Sequence, residues 1–174
     1  MTHKPAAFLG LGSNIGDRTE TLRRALRQIP ELAAVSSLYE TEPVGGPEQS
    51  AYFNIVIKLE TSKTPRQLLQ LCAELETDAG RERTIRWGPR TLDVDVLLVE
   101  APSHGLTPPD GCSVDDGLLV VEEPDLQVPH PRMAQRNFVM LPLLEIAPEV
   151  AQHGLLQLAD GEKPIGEVRS LGGL

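Results

Sequence analysis

Residues 91–99 read TLDVDVLLV, and the choice of fold turns on them. Successive side chains of a strand point to opposite faces, so Asp93 and Asp95 project together while Leu92, Val94 and Val96 face the other way. Such a strand has one apolar face for a core and one face that presents paired carboxylates. Upstream, Thr64 and Pro65 form an N-cap and first-turn pair for a helix. Its Leu68, Leu71, Cys72 and Leu75 make one apolar face before Gly80 closes it. Residues 33–42 (AAVSSLYETE) and 52–60 (YFNIVIKLE) are rich in β-branched and aromatic residues and read as strands. The PVGGPEQSA between them exceeds the roughly two to five residues of a hairpin loop, which marks it as a candidate functional loop. Residues 6–11 (AAFLGL) read as a buried strand that a turn at Gly12–Gly16 ends. After Asp17, the residues Leu22, Ala25, Leu26 and Ile29 recur at helical steps until Pro30 stops the pattern.

The order is therefore strand, helix, strand, strand, helix, strand. It predicts an α+β, ferredoxin-like sandwich with a mainly antiparallel sheet and both helices on one face. The length of 174 residues suits a single domain spanning 1–174. From 101 to 117 the composition shifts to Pro, Gly, Ser and Asp, which predicts a flexible insertion, followed by a short strand at Leu118–Val121. A helical pattern runs through Arg132–Ile146, with Pro142 expected to kink or divide it. The tail after Pro148 carries little signal.

Cys72 and Cys112 form no metal-ligand spacing and read as free thiols in a reducing compartment. The opening MTHKPAAFLGLGSN is too briefly apolar for a signal segment or a membrane span, so a cytoplasmic protein is expected. A net charge of −9 argues against sequence-independent nucleic-acid binding, whose affinity comes from many Lys and Arg contacts to phosphates. Yet Arg81, Arg83, Arg86 and Arg90 crowd together, and such a segment suits a small polyphosphate.

That arginine run leads directly into the acidic strand, as RWGPRTLDVDVLL over 86–98. Two carboxylates on one face repel each other unless their pKa values rise or cations bind. Magnesium suits hard oxygen ligands shared with phosphates, and two ions could grip a triphosphate. An isolated D-x-D is often only a solvated strand face. Guanidiniums beside it supply the positive charge that phosphoryl transfer needs. Gly80, Gly88 and Pro89 suggest a loop able to close, and Trp87 either packs in the core or covers a ligand from that loop. The glycines at 10, 12 and 16 of GLGSNIG have one residue too many for a dinucleotide fingerprint, leaving a tight turn or a loop bordering the site. Thr41, Tyr52 and Asn54 surround the long loop, and hydroxyl, ring and amide groups fit a flat heterocycle. His130, with Arg132 and Arg136 nearby, offers a second anion contact or a structural histidine.

LGLGSNIGDR, YETEPVGGPEQSAYFN, GRERTIRWGPRTLDVDVLL and VPHPRMAQRNFVMLPLLEIAP resemble, in order, the motifs of the 6-hydroxymethyl-7,8-dihydropterin pyrophosphokinase family, covering most of residues 8 to 148. The resemblance implies a ferredoxin-like fold and magnesium-dependent transfer of pyrophosphate from ATP to the pterin alcohol in folate biosynthesis. It implies that Asp93 and Asp95 hold two magnesium ions and that Arg81, Arg83, Trp87 and Arg90 belong to a mobile catalytic loop. It places Glu76, Val96, His130 and Arg136 near ATP, and Thr41, Val44, Tyr52, Asn54 and Phe138 around the pterin, with Tyr52 and Phe138 on its two faces. Arg81 and Arg90 would offset charge on the bridging oxygen. Asp95 is a candidate proton acceptor, although a metal-activated alcohol would need no dedicated base. ATP and the pterin are the expected partners of a monomer without nucleic acid, membrane or obligatory protein partner. Two alternatives remain: another magnesium-dependent phosphoryl or nucleotidyl transferase using the same acidic pair, and a ligand-sensing module on the same fold.

Overall fold

In the computed structural model, residues 4–43, 49–80, 90–103, 106–154 and 167–174 are described. The chain runs β1 (Ala6–Ser13), α1 (Arg18–Gln28), β2 (Leu32–Val35), β3 (Leu38–Thr41), β4 (Tyr52–Glu60), α2 (Pro65–Asp78) and β5 (Asp93–Val99). The caps are those the sequence suggests. Asp17 accepts the Glu20 N–H to start α1, while Thr64 and Gln67 form a reciprocal capping box ahead of Pro65 at the start of α2. The main sheet has the order β5-β1-β4-β3-β9, with β2 also paired to β4 and β9 spanning Val168–Gly172. Its ladders are antiparallel, which gives the expected ferredoxin-like arrangement.

Strand alternation divides the core. Ala7, Leu9 and Leu11 of β1, Ile55, Ile57 and Leu59 of β4, and Val94 and Val96 of β5 pack with Leu22 and Ala25 of α1 and Leu68, Cys72 and Leu75 of α2. On the opposite face, Ala6, Phe8, Val56 and Leu98 meet Met133 and the α3 (Asn137–Ile146) residues Val139 and Leu143. A 3-10 turn at Pro148–Gln152 adds Val150 to that layer. The register between β1 and β5 shifts between Phe8 and Leu9, so Leu97 is an extra residue and Leu97 and Leu98 both join the α3-side core.

Some expectations change. The strand read over 33–42 is broken into β2 and β3 at Ser36 and Ser37. There the Ser36 hydroxyl accepts the Val56 N–H, while Ser37 donates its N–H and hydroxyl to Glu145. A side-chain oxygen thus takes over one ladder bond, while the Ser36 N–H still donates to the Val56 carbonyl at 2.9 Å. The 101–117 segment is not wholly irregular, because β6 (Ser113–Asp115) pairs with β7 (Leu118–Glu123), which in turn pairs with β8 (Leu126–Val128). The β6–β7 turn is Asp116-Gly117, both at positive φ, as a two-residue hairpin of type I′ requires. β7 and β8 pack Leu119, Val121, Leu126 and Val128 into the helix-side core. α3 starts at Asn137 rather than Arg132 and runs through Pro142. No helix among the described residues is long and apolar enough to cross a membrane.

Candidate active site

A cleft of about 560 Å³ opens on the α3 side of the sheet, and Gly10 and Gly12 of β1 lie in its lining. Register puts Gly10 opposite both Asp95 and Val56, and Gly12 opposite both Asp93 and Asn54. The lack of side chains at Gly10 and Gly12 therefore keeps a trough open between the carboxylates of β5 and the polar groups of β3 and β4. A Cβ on Gly12 would come within 2.9 Å of Asn54 Oδ1.

On the acidic side, burial and the charge of Asp93 push Asp95 up to about 6, with Arg136 pulling the other way. Arg90 donates to Asp93 Oδ1 at 2.5 Å. Burial works against the Arg90 charge, but Asp93 more than offsets it and the guanidinium is held above its ordinary value. His130 follows a cis Val128–Pro129 bond, and its N–H donates to the Leu97 carbonyl at 2.7 Å. The extra residue of β5 thus seats the histidine at the edge of the carboxylates. Burial, then Arg136 and Arg132, push His130 down to about 4, so it is neutral at pH 7. Its Nδ1 accepts the Arg132 N–H at 3.2 Å, which leaves Nε2–H as the donor.

On the other side, Asn54 is buried and donates through Nδ2 to Thr41 Oγ1 at 3.0 Å. Tyr52 and Phe138 line the same trough, and the Arg136 guanidinium lies 5.6 Å from the Phe138 ring centroid.

The cleft unites Thr41, Tyr52, Asn54, Arg90, Asp93, Asp95, His130, Arg136 and Phe138 of the expected set. Val44, Arg81, Arg83 and Trp87 lie outside the described residues. Val96 and Glu76, expected near ATP, are not among the lining residues. The Val96 side chain packs in the helix-side core, as alternation from Asp95 requires, and does not line the cleft. Glu76, also buried and outside the lining, accepts the Val94 N–H at 2.9 Å and so ties β5 to α2. Gln49 and Gln135 line the cleft and were not singled out; an amide inside the Pro/Gly-rich PVGGPEQSA was the available signal for Gln49.

The whole cleft falls inside one family match: residues 8–148 fit the model for 7,8-dihydro-6-hydroxymethylpterin-pyrophosphokinase. The chain belongs to this family. The 2-amino-4-hydroxy-6-hydroxymethyldihydropteridine pyrophosphokinase of Bacillus subtilis is 39% identical over 161 residues, which cover 90% of this chain and 86% of that protein. The protein of the same name from Pseudomonas aeruginosa is 36% identical, covering 88% of this chain and 84% of its own. A crystal structure of Plasmodium falciparum HPPK-DHPS with pterin and p-hydroxybenzoate superposes with a TM-score of 0.53 at 14% identity. A second HPPK-DHPS structure, in complex with substrates, gives 0.56 at 14% identity. This chain covers 85% of itself but only 41% of that fused protein, and the likeness supports the fold alone. The chain is accordingly a pyrophosphokinase of folate biosynthesis, a transferase with ATP as co-substrate.

Proposed function

We propose that this pyrophosphokinase cleft divides its two substrates across the glycine floor, with the ATP polyphosphate over Asp93 and Asp95 and 6-hydroxymethyl-7,8-dihydropterin between Tyr52, Asn54, Thr41 and Phe138. The observation that carries this arrangement is the register, which sets paired carboxylates and a buried Asn–Thr pair on opposite sides of Gly10 and Gly12.

The carboxylate pair fits magnesium. Both side chains offer hard oxygens on one strand face, and burial first and the Asp93 charge second raise the pKa of Asp95, a penalty on its charged form that a bound cation would offset. No group of three or more His, Cys, Asp or Glu side chains suited to a metal occurs among the described residues, so water and phosphate oxygens would complete each shell. Asp93 and Asp95 would hold two ions, which supply charge neutralisation on the phosphate oxygens.

The chain's own groups do the rest. Asn54 and Thr41 fix the edge of the heterocycle, and the Tyr52 and Phe138 rings hold its faces. Arg90 and Arg136 face the transferring phosphates, and the family motifs assign Arg81 and Arg83 to the same phosphates, Trp87 to both substrates and Val44 to the pterin. Neutral His130 donates from Nε2 without adding charge. Glu76 acts through its bond to the Val94 N–H, and Val96 through its backbone alone. With the alcohol oxygen held in line with the β-phosphorus, its O–P bond forms as the bond from that phosphorus to the AMP oxygen breaks, and the hydroxyl proton passes to Asp95 or to solvent. The free Cys72 and Cys112 suit the cytoplasm.

An AMP-release assay with magnesium, ATP and the pterin, run beside Asp95→Ala, tests this division. Pterin-dependent AMP and pterin diphosphate that vanish in the variant are expected. ADP as the product, or full activity in Asp95→Ala, would overturn it.

A further inference from the structure

Beyond Gly10 and Gly12, the GLGSNIG segment contains a buried side-chain amide, Asn14, whose oxygen and nitrogen are both engaged. Asn14 follows the end of β1, the strand that runs between β4 and β5. Its backbone N–H donates to the Arg90 carbonyl at 3.1 Å, and its Oδ1 accepts the Arg90 N–H at 2.8 Å. Its Nδ2 donates to Gln49 Oε1 at 2.9 Å and to the Ser50 carbonyl at 3.2 Å. One side chain thus bridges the segment entering β4 and the segment entering β5, over the tip of the strand between them. Gln49 and Arg90 both line the cleft, one at each end of this bridge.

We infer that Asn14 is a positioning residue that sets the Arg90 backbone, and with it the guanidinium, relative to the Gln49–Ser50 rim of the pterin side. The inference rests on the phosphate role proposed for Arg90. Two bonds to one residue's N–H and C=O fix both its location and its peptide orientation, which a single contact does not. A guanidinium misplaced by about 1 Å costs on the order of a hundredfold in rate even when binding persists. The same amide is the hydrogen-bonded link by which a shift of Gln49 and Ser50 reaches Arg90. Arg18 pins the same rim from another direction, donating to the Ala51 carbonyl at 2.7 Å and lying 3.7 Å from the Phe53 ring centroid, but it has no bond to Arg90.

Three variants separate the two arms. Asn14→Ala removes both side-chain arms and keeps only the backbone N–H bond to the Arg90 carbonyl. Asn14→Asp keeps an acceptor for the Arg90 N–H and sets an oxygen against the Ser50 carbonyl. Arg18→Ala loosens the rim without touching Arg90. Single-turnover rates, equilibrium affinity for a non-hydrolysable ATP analogue and melting temperature are read for each. The single-turnover rate should fall about 30- to 100-fold in Asn14→Ala, with affinity for the analogue changed less than about threefold. Asn14→Asp should recover about tenfold of that rate, while Arg18→Ala stays within about threefold of the parent despite a similar loss of melting temperature. Asn14→Asp as slow as Asn14→Ala, or Arg18→Ala equally slow, would assign the effect to general loosening and overturn the inference. An inactive parent protein would instead sink the proposed reaction.

Discussion

Replacing Gly12 by alanine should weaken pterin binding about tenfold while the protein still folds. The new Cβ lies 2.9 Å from Asn54 Oδ1, where ordinary contacts begin at 3.4 Å, so the amide must retreat by about half an ångström. Overpacking of this kind costs about 1–3 kcal/mol, and exchanging a strand glycine for alanine returns about 0.5–1 kcal/mol. The net is a loss of about 0.5–2 kcal/mol, or a few degrees in melting temperature for a chain of this size. Asn54 cannot retreat freely, because its Nδ2 is bonded to Thr41. It either gives up that bond or turns away from the heterocycle, and one misdirected hydrogen bond of about 1–1.5 kcal/mol lowers affinity roughly tenfold. Gly10→Ala is the comparison: its Cβ would meet Leu97 Cδ2 at 3.4 Å, the movable end of a side chain, so folding should be unharmed. That methyl rises between Asp95 and Val56, and should weaken nucleotide more than pterin binding. Calorimetric titration of the pterin in the presence of a non-hydrolysable ATP analogue, alongside thermal melts, measures both effects. A folded Gly12→Ala protein that binds pterin within twofold of the parent would refute the role given to Asn54 and to the open floor.

Other substitutions bear on separate parts of the structure. Leu143→Ala, fully buried where α3 meets the sheet, should cost about 2–5 kcal/mol in urea unfolding; a loss under 1 kcal/mol would mean α3 is loosely held. Arg90→Ala should lower the single-turnover rate more than ATP affinity, as should Arg81→Ala, and the reverse pattern would reassign them to ground-state binding. Glu31 accepts bonds from Lys4, Thr61 and Lys63, which lower its pKa from 4.5 to about 2. Because the folded value is the lower one, its contribution is complete above about 4.5 and is lost as pH falls toward about 2. Glu31→Gln should therefore cost about 1 kcal/mol at pH 7 and much less at pH 2.5; an equal cost at both would remove the ion pairs as the cause. For His130 the unfolded chain takes up a proton near 6.5 while the folded protein resists until about 4, so stability falls over that interval as pH drops. His130→Asn should flatten this slope, and an NMR titration midpoint near 6.5 would show the imidazole to be wetter than the cleft suggests.

Much of the site was legible because strand alternation is a local rule. The projection of Asp93 with Asp95, and of Tyr52 with Asn54, needs only a period of two, and both pairs line the cleft. The Thr64-Pro65 start of α2 was equally local. What escaped depends on partners distant in sequence. The break between β2 and β3 reflects hydroxyls bonded to β4 and to Glu145, which no window around Ser36 contains. β9 has no pattern of its own and becomes a strand by pairing with β3. The Leu97 bulge that seats His130 is likewise a property of two strands at once. β6 is a different case, because Asp116-Gly117 is a local hairpin signal that the composition of 101–117 as a whole obscures.

The alternating faces of β5 also constrain how the sheet assembles. Sliding β5 by one residue against β1 would turn Asp93 and Asp95 toward Leu9, Leu11 and Leu75 and send Val94 and Val96 into the open cleft. Each carboxylate so buried would forfeit several kcal/mol or give up its charge. The correct pairing therefore wins by a margin that an all-aliphatic strand, apolar on both faces, would lack. Asp93 and Asp95 proofread the register of the strand that bears them, so neutralising both for the sake of stability would remove a safeguard against misassembly along with the chemistry.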